Sequence, residues 1–303
     1  MTYNLITILG PTAAGKTKIA AKLAVDFNGE IISADSRQVY KNMNIGTGKD
    51  LEDFIRRNII YHLIDICEPK DEYNLFRFKK DFASAFEMIL NKNKMPILVG
   101  GTGLYISAVV QDYDLPPIKN NQEEFKKLNE LTKDELLKLF LSLNPKPHNI
   151  TDLIHKDRII KAILIKQSRK EIKRKKNSIN SLNIGIKPDN SILKKNITDR
   201  LKVRLNSGMI EEVKDLLEKG VTKEKLIFFG LEYKYVTRHI IGELNFNDMF
   251  QKLNSAIHSF AKRQVTWFRK MEKEGVEIYW FSGKNYDEIL QFTKAKLKKY
   301  IGI

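Results

Sequence analysis

The segment Gly10-Pro-Thr-Ala-Ala-Gly-Lys-Thr17 fits Gly-x-x-x-x-Gly-Lys-Thr, and it constrains the fold more tightly than any other stretch of the chain. In that spacing backbone N–H groups wrap a diphosphate, the lysine neutralises it and the hydroxyl meets Mg²⁺. Gly10, Pro11, Thr12, Ala13, Ala14, Gly15, Lys16 and Thr17 are therefore the expected diphosphate-binding residues, and Thr17 the expected Mg²⁺ ligand. The flanks agree. "LITIL" before the loop reads as a buried strand, and "KIAAKLA" after it as a helix with one apolar face. A strand feeding a helix N-terminus through a glycine-rich loop is a ready-made anion site.

From the start to about Tyr113 the pattern alternates. "LITIL", a helix, "EIISAD", "YHLIDI", a helix through "FRFKKDFASAFEMIL" and then "MPILVGG" follow in turn. Such alternation implies an α/β fold, a mostly parallel sheet with helices on both faces, here a P-loop NTPase-like core. After "DYDLPPIKNN" the character changes, because residues from about 122 to 176 are charged, helix-prone and free of strand-like runs. The expected organisation is a discontinuous core, residues 1–114 and 182–303, with a helical insertion over 115–181. In the second core segment "DRLKVRLNSGMIEEVKDLLEKG" reads as two helices broken at Gly208. "LNSAIHSFAKRQVTWFRKMEKEG" reads as a long helix ended by Gly275, and "EIYWFS" as a last strand able to rejoin the sheet.

Charge points to a partner. Across 303 residues, 53 Lys+Arg against 37 Asp+Glu give a net charge of +16, which favours a polyanion over a small neutral ligand. The excess is concentrated: His155 to Lys176 carries ten Lys/Arg against two acids. Ile159, Ile160, Ile163 and Leu164 recur there at helical spacing, so one stripe should be buried while Arg158, Lys161 and the later lysines project elsewhere. A membrane surface is the competing explanation. No apolar run approaches a membrane span, and the N-terminus lacks a basic start and meets Pro11 too early for a signal peptide, so a cytoplasmic protein is expected. The single cysteine, Cys67, can form no intramolecular disulfide, and the five histidines show no metal-ligand spacing.

Strand ends on one side of a parallel sheet converge on one crevice, so further loops can surround the phosphate site. "ISADSRQVY" places Asp35 where the second strand stops; an Asp-Ser turn or cap is the alternative use of that pair. "PILVGGTGLYI" ends a very apolar strand in Gly100-Gly101-Thr102-Gly103, where an ordinary P-loop NTPase carries a Mg²⁺-holding acid. No guanine-reading Asn-Lys-x-Asp occurs. A P-loop without this apparatus, on a strongly basic chain, points away from ATP hydrolysis and toward a different diphosphate ester. A small-molecule kinase and a basic RNA-binding module with a vestigial P-loop are the other readings.

Together "GPTAAGKT", "IISADSRQVYKNMNIGTGKD", "PILVGGTGLYI", "DRIIKAI", "GMIEEVKDLL" and "AKRQVTWFR" resemble the tRNA dimethylallyltransferase (tRNA isopentenyltransferase) family, in family order over nearly the whole chain. The resemblance implies a P-loop core with an inserted helical domain that grips the anticodon stem-loop of tRNA. The implied reaction moves a dimethylallyl group from dimethylallyl diphosphate to N6 of the adenine just 3′ of the anticodon. A monomer is expected.

An exocyclic adenine amine is a weak nucleophile, and a carboxylate accepting its N–H would activate it. Asp35 fits that role, while Lys16, the loop amides and Mg²⁺ on Thr17 would stabilise the departing diphosphate. By resemblance Arg200 also meets the diphosphate, and the tRNA-contacting residues map onto Asp35, Ser36, Arg37, Gln38 and Thr102, with Arg158 and Lys161 in the insertion. The base must leave its stack, entering a channel between the domains. For Lys262, Arg263, Gln264 and Trp267 a role in structure alone is the stronger expectation. Phe260 and Trp267, seven apart on a helix, read as core. Two stretches depart from the family pattern: Lys161 replaces an arginine in "DRIIKAILIK", and "FFGLEYKY" stands where Ile-Gly-Tyr-Lys-Glu is usual.

Overall fold

The computed structural model describes residues 3–113, 122–143, 156, 159–160, 162–164 and 179–298. Its centre is a six-stranded sheet formed by β1 (Leu5–Leu9), β2 (Gly29–Ser33), β3 (Tyr61–His62), β4 (Met95–Gly100), β5 (Ser181–Ile186) and β6 (Tyr279–Phe281). The order is β3-β2-β4-β1-β5-β6, and every pairing is parallel. All five residues of β1 are buried, as a strand covered on both faces requires. Alternate β1 side chains serve different cores: Leu5 and Leu9 join one apolar cluster, Ile6 and Ile8 the other.

The helices on the Ile6 side include α1 (Lys16–Asp26), through Ile19, Ala20 and Leu23. The other face is covered by α3 (Leu75–Asn91) and α4 (Gly103–Val110), a short α2 (Glu52–Ile55) lying earlier in the chain. β5 is followed by α7 (Asn190–Asn206), α8 (Met209–Glu218), α9 (Lys223–Phe229), α10 (Leu231–Ile240) and α11 (Phe246–Lys273). All five contribute to the Leu5 side. The chain passes from α7 to α8 at Gly208 (φ 95°) and leaves α11 at Gly275 (φ 91°), the two breaks the glycines signal. β6 then pairs with β5, and α12 (Tyr286–Lys298) packs on the Ile6 side through Ile289 and Leu297.

One expected strand is cut short. "YHLIDI" keeps only Tyr61–His62 as β3, because Leu63 (φ 63°) and Asp65 (φ 56°) leave the extended region and turn the chain away.

The chain divides into two compact units, Met1–Asp112 with Ile179–Ile303, and Tyr113–Ser178. The smaller contains α5 (Gln122–Glu130) and α6 (Lys133–Leu143) and has its own apolar cluster. There Leu128, Leu136 and Phe140 pack with Ile159, Ile160, Ile163 and Leu164, so the periodic stripe is buried. Among the described residues no helix is long and apolar enough to cross a membrane.

Candidate active site

The P-loop leaves β1 at Gly10, whose φ of 149° and tight fit under β5 both demand glycine: a Cβ there would lie 2.2 Å from the Ile186 carbonyl oxygen. Gly15, in the left-handed conformation, turns the chain into α1. Lys16 Nζ folds back to donate to the Pro11 carbonyl at 2.6 Å. Burial, then the Arg200 cation, pull the Lys16 ammonium down to about 7, against an upward pull from Asp35. Burial, then Arg204, also lower Arg200, to about 10. The guanidinium of Arg200, brought in by α7, donates to the Thr12 hydroxyl. The Thr12 N–H donates to Gln264 Oε1 at 2.8 Å. Of the loop amides expected to wrap a diphosphate, this one is committed to a side chain.

Asp35 lies two residues past the end of β2. Its Oδ1 accepts the Arg37 N–H at 2.8 Å and the Gln38 N–H at 3.4 Å, closing an Asx turn. The two readings of this residue are therefore compatible, since the turn fixes the carboxyl group while Asp35 still lines the cleft. Among the described residues no partner holds Oδ2. Next to it the Ser36 N–H donates to Thr102 Oγ1 at 3.1 Å, tying the β2 and β4 loops together. Gln38 accepts from Ser33 Oγ at 3.1 Å and donates to the Gly48 carbonyl at 3.0 Å, and the Arg37 guanidinium lies 5.3 Å from the centre of the Phe229 ring.

A single cleft of about 550 Å³ collects Thr12, Ala13, Lys16 and Thr17 with Asp35, Ser36, Arg37, Gln38, Thr102 and Arg200. Arg158 and Lys161 lie outside the described residues, as do Lys173, Arg174, Lys175 and Lys176. Phe260, expected in the core, is only partly buried and lines the cleft, because α11 turns that position past the apolar stripe occupied by Ile257, Ala261 and Phe268. Trp267 packs as expected, its Nε1–H donating to Ser107 Oγ at 2.8 Å.

Sequence reasoning missed the supports of this cleft. The Glu212 carboxylate accepts three successive backbone N–H groups, those of Asn44 and Ile45 at 2.7 Å and of Gly46 at 3.0 Å, plus the Tyr233 hydroxyl at 2.7 Å. Buried Arg204 lies 3.7 Å from Glu232 and 4.0 Å from Asp50, and its guanidinium fills the space above Gly48, where a Cβ would be 1.6 Å from it. Burial holds Glu232 above the usual carboxylate range, with Arg204 pulling the other way.

A family model described as IPP transferase matches residues 38–271, and one described as isopentenyl transferase matches 3–64. The chain belongs to the IPP transferase family. It is 47% identical over 286 residues to tRNA dimethylallyltransferase 2 of Syntrophotalea carbinolica, covering 93% of this chain and 95% of that protein. It is also 47% identical over 304 residues to tRNA dimethylallyltransferase 2 of Bacteroides fragilis, covering 98% and 99%. The crystal structure of the full-length tRNA isopentenylpyrophosphate transferase from Bacillus halodurans matches with a TM-score of 0.73 and 29% identity, over 98% of this chain and 97% of that one.

For an IPP transferase, the donor set around Thr17 bears on the metal. Among the described residues no group of three or more His, Cys, Asp or Glu could hold an ion by itself. Mg²⁺ keeps several waters and takes few protein ligands when substrate phosphates supply the rest. One hydroxyl in a loop expected to hold a diphosphate fits an ion that arrives with its phosphate.

Proposed function

We propose that this chain transfers the dimethylallyl group of dimethylallyl diphosphate to N6 of the adenine 3′-adjacent to the anticodon of a tRNA, releasing diphosphate. The observation that carries the reading is the single cleft in which P-loop residues Lys16 and Thr17 face the same space as Asp35. Lys16, Arg200 and the loop amides hold the diphosphate. Charge accumulates on it as the bond from its ester oxygen to the allylic carbon breaks, and these groups stabilise that charge. Mg²⁺, held by Thr17 and the diphosphate oxygens, would supply further neutralisation of the leaving group.

Across the reacting carbon, Asp35 accepts the N6 proton as the N6–carbon bond forms. A fixed carboxylate suits adenine, whose N6 donates, over guanine, whose O6 cannot. Ser36, Arg37, Gln38 and Thr102 contact the extruded base and its neighbours. Arg158 and Lys161 contact the anticodon stem, with the net charge of +16 drawing in the polyanion. The test is mass spectrometry of tRNA incubated with the protein and dimethylallyl diphosphate. A dimethylallyl group on that adenine, with one pyrophosphate released per group added, is the expected result. Unmodified tRNA, or steady phosphate release from ATP in its place, would overturn it.

A further inference from the structure

Gln264 occupies a place in this molecule that its packing alone does not explain. It sits on α11, 6% exposed, one turn before Trp267. Its amide makes two hydrogen bonds, and they go to different halves of the cleft. Oε1 accepts from the N–H of Thr12 in the P-loop at 2.8 Å, and Nε2 donates to the carbonyl of Gly101 after β4 at 2.8 Å. The amide orientation is fixed by its partners, because Thr12 offers only a donor there and Gly101 only an acceptor.

The surrounding residues are shaped to this bridge. Gly101 has no room for a side chain, since a Cβ would lie 2.3 Å from Gln264 Nε2. Thr12 is gripped a second time, by Arg200 on its hydroxyl. On the other side Gly101 leads into Thr102, whose Oγ1 receives the N–H of Ser36, the residue after Asp35. A continuous path therefore runs from the diphosphate cradle through Thr12, Gln264, Gly101, Thr102 and Ser36 to the carboxylate.

We propose that Gln264 is a positioning residue that sets the separation between the P-loop and the Asp35 turn, and with it the approach of the adenine amine to the allylic carbon. The inference rests on the transfer reaction proposed above. Gln264 touches neither reacting atom; it acts through Thr12 on one side and through Thr102 and Ser36 on the other. A bimolecular transfer between two separately bound substrates depends steeply on that separation, and a misplacement of about 1 Å can cost about a hundredfold in rate.

The test compares wild type, Gln264→Met and Gln264→Leu. The methionine keeps length and loses both hydrogen bonds. The leucine loses both hydrogen bonds and the reach between the two loops. Steady-state kinetics with tRNA and dimethylallyl diphosphate should show kcat falling by about a hundredfold, while both KM values and the affinity for dimethylallyl diphosphate alone stay within about threefold. Gly101→Ala, which leaves Gln264 intact and pushes on Nε2 from the far side, should show the same split and serves if the Gln264 variants do not fold. A kcat within twofold of wild type, or a loss confined to KM, overturns the proposal. If wild type itself adds no mass to tRNA, the transfer reading has failed instead, which the wild-type arm reports separately.

Discussion

Binding of dimethylallyl diphosphate should take up a proton above neutral pH, and Lys16 is the group that takes it. In the free protein burial, then repulsion by Arg200, bring the ammonium down to about 7, and among the described residues its hydrogen-bond partner is the Pro11 carbonyl. It is then about a quarter protonated at pH 7.5 and about 3% protonated at pH 8.5. A dianionic phosphate beside it restores the charged form. The affinity should therefore weaken about eightfold over that pH unit, and each ligand should bring in about 0.8 to 1 proton. The terminal phosphate of the ligand, with its last ionisation near about 6, is not the source. Arg200, at about 10, stays charged throughout. Titration calorimetry at fixed Mg²⁺, in two buffers of different ionisation enthalpy at each pH, reads the proton count from the difference in heat. Lys16→Met should abolish it. Equal heats in both buffers with an affinity flat from pH 7.5 to 8.5 would refute the reasoning and leave Lys16 charged in the empty loop.

Asp35→Asn should lower kcat by at least about a hundredfold with tRNA affinity within a few-fold, because the amide keeps the Asx turn and loses the base; near-normal turnover in single-turnover kinetics would make Asp35 a structural turn only. Neutralising Lys173, Arg174, Lys175 and Lys176 together should weaken tRNA binding and flatten the slope of log affinity against log salt, with affinity for dimethylallyl diphosphate unchanged; a wild-type slope in a filter-binding titration makes the cluster a solvated face. ATP and GTP should show no turnover in a phosphate-release assay. Glu30 is fully buried, hydrogen-bonded by His62 at 2.8 Å and Lys92 at 3.2 Å, and paired with Lys94 at 3.0 Å. Burial alone would raise its pKa, but His62, Lys94 and Lys92 outweigh it and hold the carboxyl below its ordinary value. Its stabilisation should be present above that ordinary value and be lost as the pH falls through the lowered one, and Glu30→Gln should cost about 1–2 kcal/mol in denaturant unfolding at pH 7, since Lys92 and Lys94 are partly exposed, and less at low pH.

What was legible in the sequence shares one property, contiguity. The P-loop carries its strand, its turn and its helix within residues 5–26, so spacing and periodicity expose the whole device at once. Gly208 and Gly275 announce helix ends because left-handed backbone is a local requirement. The cleft's supports are illegible for the opposite reason. Gln264 meets Thr12 across 252 residues, and Glu212 meets Asn44 across 168, so neither end carries a local sign of the other. "YHLIDI" misleads in a third way, since an apolar run reports burial, and Leu63 and Ile64 are buried without being strand.

The end of β4 explains how a P-loop fold comes to serve group transfer to an amine. In a nucleotide hydrolase that position holds an acid for Mg²⁺. Here the space is filled: a Cβ on Gly100 would lie 2.2 Å from the Ala34 carbonyl oxygen, and one on Gly101 would run into Gln264. No carboxylate fits there without moving the β2 loop or α11. An acid does enter the cleft from the neighbouring strand: Asp35 after β2, fixed by its own Asx turn with Oδ2 left without a partner among the described residues. On the function proposed above, moving the carboxylate one strand over takes it from a metal-holding position to one facing an incoming nucleophile, while Lys16 and Arg200 supply the cations on the diphosphate side. On that account the replacements Gly100→Asp and Gly101→Asp should not create a hydrolase. They should break the packing that holds the two loops in register, so transfer should be lost without any gain in ATP turnover, and a rise in phosphate release from ATP in either variant would show that the space was not the constraint.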